Sequence, residues 1–319
     1  MRSSLRILGT GASGSSVRHI PSSQVFNIGR KFYMVDCGET ASLWFSRFNL
    51  NIRHLKKVFI THMHADHCLG LPGVIYAMDL LGAEHLDVYG PKGLKQAILP
   101  LLSLGDRKLR LDLSITEVNT EVSEVISQDD RLKVTTIPLR HSVPCVGFKF
   151  EQIDPGLIVP DEIILQHDLN DKQIEQLEKG YKVKRLDPES VCNRKELFSY
   201  AYLADTCFFP DIVPLVTHCN LMFHETSFLN IHKQRAKRTL HSTTTQAGEI
   251  AALAKTGALL IGHYSMRYNF KRMTQSFVRE TRKVFPYTVA ANEGMSLDLT
   301  KGYDYRYTFK TQLHDLLCG

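Results

Sequence analysis

The chain has 319 residues, a length that one large domain or two small ones would fill. With 43% hydrophobic and 23% charged residues it has the composition of an ordinary globular protein, which excludes global disorder. Apolar runs such as Ala258–Ile261 are far shorter than the ~20 residues that span a bilayer, so we do not expect this chain to be a membrane protein. The net charge of +6 favours polyanionic partners only weakly.

We expect a cytoplasmic protein without a secretion signal. The chain passes from Met1-Arg2 directly into a strand-like run, with no apolar segment of signal-peptide length. The seven cysteines are odd in number and form no C-x-x-C pair, which fits a reducing compartment. The 14 histidines are more informative, because metal sites and acid–base chemistry draw on this residue.

Short apolar runs that end in turn or polar residues predict strands, and helices alternate with them in both halves of the chain. We predict strands at Leu5–Leu8, Lys31–Asp36, Lys57–Thr61, Leu86–Tyr89, Leu113–Asn119, Leu132–Pro138, Val146–Phe150, Ser199–Ala204, Leu221–His224, Leu259–Gly262, Tyr287–Ala290 and Ser296–Leu299. We predict helices at Leu71–Leu81, Lys92–Leu102, Thr244–Lys255 and Lys271–Val284. This alternation predicts a layered α/β domain.

The segment 151–196 differs from the rest of the chain. It contains 11 acidic and seven basic residues, so it carries a net charge of −4 within a chain of +6. It holds a polar helix-like run, Asp168–Lys179, and little apolar periodicity. We interpret it as an arm-like insertion in a single domain of residues 1–319 and as a candidate exosite, although an ordinary surface excursion fits the pattern equally well.

A dense group of metal-ligand residue types follows the strand that ends at Thr61. The run His62-Met-His64-Ala-Asp66-His67 places four such side chains within six residues. Imidazole and carboxylate suit zinc or a similar borderline metal. Four ligands so close cannot all serve one tetrahedral ion without strain. We therefore assign His62 and His64 to one ion and Asp66 and His67 to a second.

This H-x-H-x-D-H pattern resembles that of the metallo-β-lactamase superfamily, and the resemblance extends along the whole chain. It implies a four-layer αββα sandwich with three further ligands at strand ends. The matching positions are His141 after Val134–Pro138, Asp205 after Ala201–Ala204 and His263 after Leu259–Gly262. The resemblance implies that His141 completes the first group, that His263 completes the second, and that Asp205 bridges both ions.

Further motifs narrow the resemblance to the ribonuclease Z family, which processes the 3′ ends of transfer RNA. They are Leu8-Gly-Thr-Gly11, Asp36-Cys-Gly-Glu39, Leu69-Gly-Leu-Pro-Gly73, Ala204-Asp205-Thr206, His224-Glu225-Thr226-Ser227-Phe228, His241-Ser242-Thr243 and Gly262-His263-Tyr-Ser265-Met-Arg267-Tyr268. Two features depart from the family: the acidic 151–196 segment lacks a clear Gly-Pro signature, and the loop 15–23 keeps little of a P-x-K-R-N pattern. Both departures concern substrate preference rather than the hydrolytic centre.

The resemblance implies a zinc-dependent endoribonuclease. Its substrate would be precursor tRNA, and removal of the 3′ trailer would leave a 3′-hydroxyl on the tRNA and a 5′-phosphate on the trailer. Two Zn²⁺ ions per subunit are implied, and Mn²⁺ or another divalent ion could substitute for them. A homodimer is implied as well.

Five residues are candidates for the chemistry itself. Asp66 is the candidate proton acceptor. The resemblance implies that His241 donates a proton to the leaving oxygen and that Glu225 orients it, whereas a plain helix-start residue is the alternative for His241. Ser265 and Arg267 follow a candidate ligand by two and four residues, so we expect them to hold a phosphate oxygen, whereas a surface or core-edge arginine is the alternative for Arg267.

RNA binding would rest on basic side chains that meet phosphates. The candidate runs are Lys233–Arg238, Arg107–Arg110 and the helix with Lys271, Arg272, Arg279, Arg282 and Lys283, each of which is also typical of a solvated face.

Two other functions stay open at this point. A phosphodiesterase of the same fold that acts on small or cyclic phosphodiesters would use the same ligands, and the unusual 151–196 segment keeps this alternative open. A non-catalytic RNA- or partner-binding relative is disfavoured, because binding alone would not need all seven ligands.

Overall fold

The computed structural model describes residues 3–16, 19–104, 108–153, 157–194, 197–268 and 273–299. Its strands are β1 (Ser4–Gly9), β2 (Ser23–Ile28), β3 (Lys31–Cys37), β4 (Leu55–Phe59), β5 (His85–Pro91), β6 (Asp112–Val118), β7 (Val125–Gln128), β8 (Leu132–Leu139), β9 (Cys145–Gln152), β10 (Leu157–Ile158), β11 (Asn193–Arg194), β12 (Ser199–Leu203), β13 (Leu221–Glu225), β14 (Ala258–Gly262), β15 (Thr288–Ala290) and β16 (Ser296–Asp298). Its helices are α1 (Ala41–Arg47), α2 (Ala65–Cys68), α3 (Leu71–Leu80), α4 (Leu94–Leu102), α5 (Asp161–His167), α6 (Asp171–Glu178), α7 (Pro188–Val191), α8 (Val213–Val216), α9 (Lys233–Thr239), α10 (Thr244–Leu253) and α11 (Met273–Thr281).

Two seven-stranded sheets pack face to face. Their strand orders are β16-β1-β2-β3-β4-β5-β6 and β15-β14-β13-β12-β9-β8-β7. Aromatic side chains from both sheets fill the space between them; the ring of Phe59 lies 5.5 Å from that of Phe148, and the rings of Phe26 and Phe150 are 4.6 Å apart. Apolar residues of α1, α3 and α4 pack on the outer face of the first sheet, and those of α10 and α11 pack on the second. The predicted αββα sandwich is confirmed.

Strand direction positions the functional residues. In the first sheet β3, β4 and β5 run parallel, and in the second β12, β13 and β14 do so. Because the carboxyl ends of parallel strands meet at one edge of a sheet, the residues that follow them gather in one crevice. The residues at these strand ends are Asp36, His62, Asp205, Glu225 and His263.

Several elements differ from the sequence-based expectations. Strand β2 was not predicted; it begins at Ser23 directly after Pro21-Ser22, and its paired position between β1 and β3 overrides its mixed composition. Helix α1 was also missed. The helix predicted at Lys271–Val284 is described from Met273 to Thr281, while Lys271 and Arg272, like Arg107, lie outside the described residues.

The segment between β9 and β12 has a small apolar cluster of its own. Strands β10 and β11 pair at its base. The helix expected at Asp168–Lys179 corresponds to α6, which begins at Asp171 because Asp168, with φ of 45°, ends the preceding helix and Asn170 caps α6. The preceding helix α5 was not predicted. An ion pair of 3.4 Å between Arg30 and Glu175 connects this arm to the β2–β3 turn. The cluster consists of Val159, Leu169, Leu177, Val183 and Leu186.

Among the described residues, the structure has no helix of the length and apolar character needed to cross a membrane.

Candidate metal centre

The candidate ligands lie in the crevice where the two parallel strand groups end. Three of the residues there adopt left-handed backbone conformations that side chains other than glycine rarely take: Asp36 with φ of 52°, Asp205 with 26° and His263 with 60°. These turns direct the side chains into the crevice directly after the strands. Backbone strain of this kind is typical of functional positions, where packing of the surrounding structure maintains it.

The first group of candidate ligands contains His62, His64, His141 and Asp205, whose donor atoms lie within 4.8 Å of one another. His64 Nδ1 is 3.0 Å from His62 Nε2 and 3.2 Å from His141 Nε2. Asp205 Oδ2 lies 3.4 Å from His62 Nε2 and 3.5 Å from His141 Nε2. Four donor atoms that converge in this way fit one divalent ion.

The second group contains Asp66, His67 and His263. The Nε2 atoms of His67 and His263 are 3.2 Å apart, and each lies 3.6 Å from Asp66 Oδ2. Asp205 Oδ1 lies 3.0 Å from His263 Nε2 and 3.5 Å from His67 Nε2. One oxygen of Asp205 therefore faces each group.

Hydrogen bonds to the outer nitrogen of an imidazole determine which ring nitrogen faces the crevice. His67 Nδ1 lies 2.7 Å from Asp36 Oδ2, and His141 Nδ1 lies 3.0 Å from the Leu240 carbonyl oxygen. Because these oxygens accept hydrogen bonds, each Nδ1 carries the proton and each Nε2 keeps its lone pair for an ion. Asp205 Oδ1 is buried without a hydrogen-bond partner among the residues that the structure describes. The residues present therefore fit divalent metal ions.

Buried carboxylates in the crevice are balanced by imidazoles. Burial disfavours a charged ring at His67, but the carboxylates of Asp36 and then Asp205 raise its pKa to about 10. Burial and the charge of His67 lower the pKa of His62 to about 4. Burial disfavours ionised Asp205, yet the charges of His263 and His67 hold the pKa of this carboxyl well below its usual range. A divalent cation would supply the same positive charge and displace the proton from His67.

His241 and Glu225 also lie at this crevice. His241 Nδ1 is 3.0 Å from Glu225 Oε1, and the His241 ring centroid is 4.9 Å from that of His141 and 5.5 Å from that of His263. Burial lowers the pKa of the His241 ring, but the carboxylates of Glu225 and Asp205 outweigh burial and raise this pKa to about 9. The N–H groups of Ser242 and Ser227 also donate to Glu225, which holds the carboxylate in place.

The predicted phosphate-binding pair lies beside the Gly-rich loop after β1. Ser265 is half-buried and lines a small pocket with Gly11, Gly14 and His19. The Arg267 side chain is exposed, and the backbone N–H of Arg267 donates to Ser265 Oγ at 3.4 Å. The structure therefore brings the seven candidate ligands, His241 and Glu225 together, while it places Arg267 on the surface nearby.

Two residues that contact candidate ligands were not singled out in the sequence, Asp36 and Ser227. Asp36 accepts hydrogen bonds from the Thr61 N–H and hydroxyl and from Tyr202, in addition to its contact with His67. Ser227 Oγ lies 2.9 Å from His263 Nδ1 and donates to Glu225 Oε2, so it connects the ends of the neighbouring strands β13 and β14. Both residues stand in motifs that carry the family resemblance, Asp36-Cys-Gly-Glu39 and His224–Phe228, and these motifs were the available signal.

We expect Asp36→Asn to weaken metal affinity about 10- to 100-fold, because this carboxylate orients His67 and increases its basicity. Competition with a chelator measures the affinity. Tyr202→Phe is the matched control, since it removes one hydrogen bond to Asp36 and leaves the carboxylate. Unchanged affinity in Asp36→Asn would show that Asp36 has only a packing role.

Comparisons with known proteins bear on this centre. The family model described as Anti-Pycsar protein Apyc1 matches residues 3–183, and the chain belongs to that family over this range. Ribonuclease Z of Bacteroides thetaiotaomicron is 36% identical over 310 residues, which cover 95% of this chain and 97% of the relative.

Solved structures share the fold. The short form of human tRNase Z superimposes with a TM-score of 0.68 at 22% identity and covers 92% of this chain and 98% of its own. The metallo-β-lactamase fold protein YhfI from Bacillus subtilis gives 0.66 at 18% identity and covers 93% of this chain and 100% of its own. Because the similarity in sequence extends over almost the full length of both chains, this protein belongs to the ribonuclease Z family and has the metal-dependent hydrolase centre of the metallo-β-lactamase fold.

Proposed function

We propose that this protein is an endoribonuclease that removes the 3′ trailer from precursor tRNA. The observation that carries the proposal is the shared Asp205 carboxylate, which lies between two groups of histidines in a chain of the ribonuclease Z family. Hydrolysis breaks the bond between phosphorus and the ribose 3′-oxygen. The tRNA then ends in a 3′-hydroxyl, and the trailer keeps a 5′-phosphate.

The proposal includes two divalent ions per subunit, with zinc as the native metal and manganese able to replace it. Such ions, when bound, polarise the phosphodiester and lower the pKa of water so that a nucleophile exists near neutral pH. Imidazole and carboxylate donors support this choice of metal. One ion would be held by His62, His64 and His141, the other by Asp66, His67 and His263, and Asp205 would contact both.

The chain's own residues position the substrate and move protons. Asp66 would accept a proton from the attacking water, and the Ser13 N–H, which donates to Asp66 Oδ2 at 2.6 Å, fixes the orientation of this carboxylate. His241 would donate a proton to the leaving 3′-oxygen, with Glu225 as its orienting partner. Ser265 and Arg267 would bind a phosphate oxygen.

A second candidate is a phosphodiesterase of small or cyclic phosphodiesters. The family model that matches residues 3–183 is described as Anti-Pycsar protein Apyc1 and not as ribonuclease Z, which favours keeping this second candidate. Parallel assays with precursor tRNA and a chromogenic phosphodiester distinguish the two. Cleavage of precursor tRNA at the 3′ end of the mature sequence supports the proposal, and hydrolysis of the small diester alone contradicts it.

We expect His64→Ala and Asp205→Ala each to abolish hydrolysis of both substrates, because each removes a proposed ligand. Asp205→Ala is expected to lose more metal, since its carboxylate faces both groups. Metal analysis of the purified variants beside the cleavage assay measures both effects. Full metal content and full activity in Asp205→Ala would refute the assignment.

His241→Ala is expected to keep its metal and to slow cleavage about 10²- to 10⁴-fold, as loss of a positioned general acid does. Because Glu225 raises the pKa of His241, the proton is held to high pH and activity falls as pH rises through that pKa. Glu225→Gln should therefore shift the basic limb of the pH–rate profile to lower pH. Loss of metal from His241→Ala would instead identify His241 as a ligand, a role its place near Asp205 and His263 permits.

The arm is proposed to grip tRNA through the basic residues Lys179, Lys182, Lys184 and Arg185. Two of these lysines pair with acids of the arm itself, Lys179 with Glu175 at 3.0 Å and Lys182 with Asp187 at 2.7 Å. Both lysines are therefore paired with neighbouring acids and do not form a purely basic face. Exposed ion pairs contribute only about 0–1 kcal/mol, so RNA phosphates can compete for these side chains.

We expect the double variant Lys182→Glu/Arg185→Glu to weaken precursor-tRNA affinity. The slope of log affinity against log salt concentration should become shallower by about one for each lost phosphate contact. Hydrolysis of the small diester should not change. The control Arg53→Glu/Lys255→Glu alters two exposed residues that precede β4 and β14, at the edge opposite the ligands. Equal effects of both double variants on precursor-tRNA affinity would exclude the arm as the tRNA-binding element.

We also propose a homodimer, supported by exposed leucines on α3 and α4 and directly after each helix. The Tyr76 hydroxyl donates to the Leu102 carbonyl oxygen at 2.7 Å, which holds these helices together. We expect Leu80→Lys/Leu104→Lys to sediment as a monomer where the wild type is a dimer. A dimer in both proteins would exclude this surface, which is formed by Leu80, Leu81, Leu99, Leu101 and Leu104.

A further inference from the structure

An arginine beside the candidate metal centre stacks on an aromatic ring. The Arg140 Cζ atom lies 3.8 Å from the centroid of the Phe209 ring. The Arg140 side chain is 64% exposed, so Phe209 covers one side of the guanidinium while the rest is accessible. Asp211 Oδ2, 3.8 Å from Arg140 Nη2, helps to hold the group over the ring. The stack is therefore assembled before any substrate binds.

The two loops that carry this stack also carry candidate ligands. Arg140 immediately precedes His141, and Phe209 follows Asp205 by four residues. The Cys207 N–H donates to the Arg140 carbonyl oxygen at 2.9 Å, and the Arg140 N–H donates to Thr206 Oγ1 at 3.2 Å. These bonds fix the position of the stack relative to the first group of ligands.

We propose that Arg140 and Phe209 form a platform on which an unpaired nucleobase next to the scissile phosphate stacks. This inference rests on the proposed function and specifies its substrate. Proteins bind single-stranded RNA by stacking its bases on aromatic rings and guanidinium planes, and such contacts tolerate any base. A guanidinium also adds a positive charge near the phosphates.

The platform has a consequence for the choice of cleavage site. A base within a double-stranded stem is already stacked and paired, so it cannot lie on Phe209 and Arg140 without unpairing. An unpaired nucleotide at the junction of stem and trailer can do so at little cost. The stack therefore selects the single-stranded end of the substrate, while the ligands carry out the same hydrolysis whatever the sequence.

The test uses the metal-loaded protein and precursor tRNAs that carry either a normal or an abasic nucleotide on each side of the cleaved bond. In the wild type, we expect loss of one of these bases to lower kcat/KM about tenfold, as loss of one stacked base does. Phe209→Leu should lower kcat/KM for normal tRNA by a similar factor. The abasic tRNA should then be cleaved by this variant with the same kcat/KM as the normal tRNA. Phe209→Tyr keeps a ring and should keep the sensitivity to the missing base.

Arg140→Gln should lower kcat/KM for normal tRNA by the same factor. It should also reduce the slope of log affinity against log salt concentration by about one. Arg47→Gln is the matched control, because Arg47 Cζ lies 4.7 Å from the Trp44 ring centroid on α1, away from the ligand loops, and it should behave as wild type. Metal content and melting temperature establish that the variants are folded.

Two results would overturn the platform while the proposed function stands: an equal cost of the abasic change in wild type and Phe209→Leu, or unchanged cleavage of normal tRNA by Phe209→Leu. Failure of the wild type to cleave precursor tRNA would instead overturn the proposed function, and the platform with it.

Discussion

The centre depends on one carboxylate held between two groups of imidazoles. Asp205 directs Oδ2 to His62 and His141 and Oδ1 to His67 and His263, at distances of 3.0 to 3.5 Å. These histidines come from both sheets of the sandwich. The site therefore exists only when the two sheets are packed at the correct spacing, and the aromatic layer between them is what maintains that spacing.

This arrangement is costly for the folded chain. Buried carboxylates and imidazoles are removed from water, and Asp36, Asp205 and His263 occupy left-handed backbone conformations. Part of the cost is offset by ordered partners. Asp36 accepts four hydrogen-bonding contacts, and Glu225 binds the backbone N–H groups of Ser227 and Ser242. The remaining electrostatic imbalance is the one that divalent cations relieve, so metal binding and stability are linked.

The sequence allowed the centre to be predicted better than its surroundings. His62, His64, Asp66 and His67 stand so close together that their residue types alone indicate a metal site. His141, Asp205 and His263 are isolated in the sequence, and only the resemblance connected them. The outer contacts of Asp36 and Ser227 could not be predicted, because they depend on backbone turns and on the approach of distant strands.

Strand and helix predictions failed where tertiary contacts override local pattern. Strand β2 lacks a clear alternation, and its place between β1 and β3 makes it a strand. In the arm, the helix predicted from Asp168 begins at Asp171 as α6, because the left-handed Asp168 ends α5, a helix that was not predicted. The sequence therefore predicted one helix of the arm but not α5 or the pairing of β10 with β11, because these depend on local backbone conformation and on contacts within the arm.

Hydrolysis and substrate choice are built from different parts of this molecule. The candidate ligands follow strand ends, which are packed on both sides. The candidate RNA contacts lie on an exposed arm, on the short helix α9 and on the loops that carry Arg140 and Phe209. Changes in these exposed parts leave the core intact, so the substrate can change while the hydrolytic centre stays the same. In this chain the arm is acidic overall although the whole chain is basic, whereas all seven candidate ligands come together in one crevice.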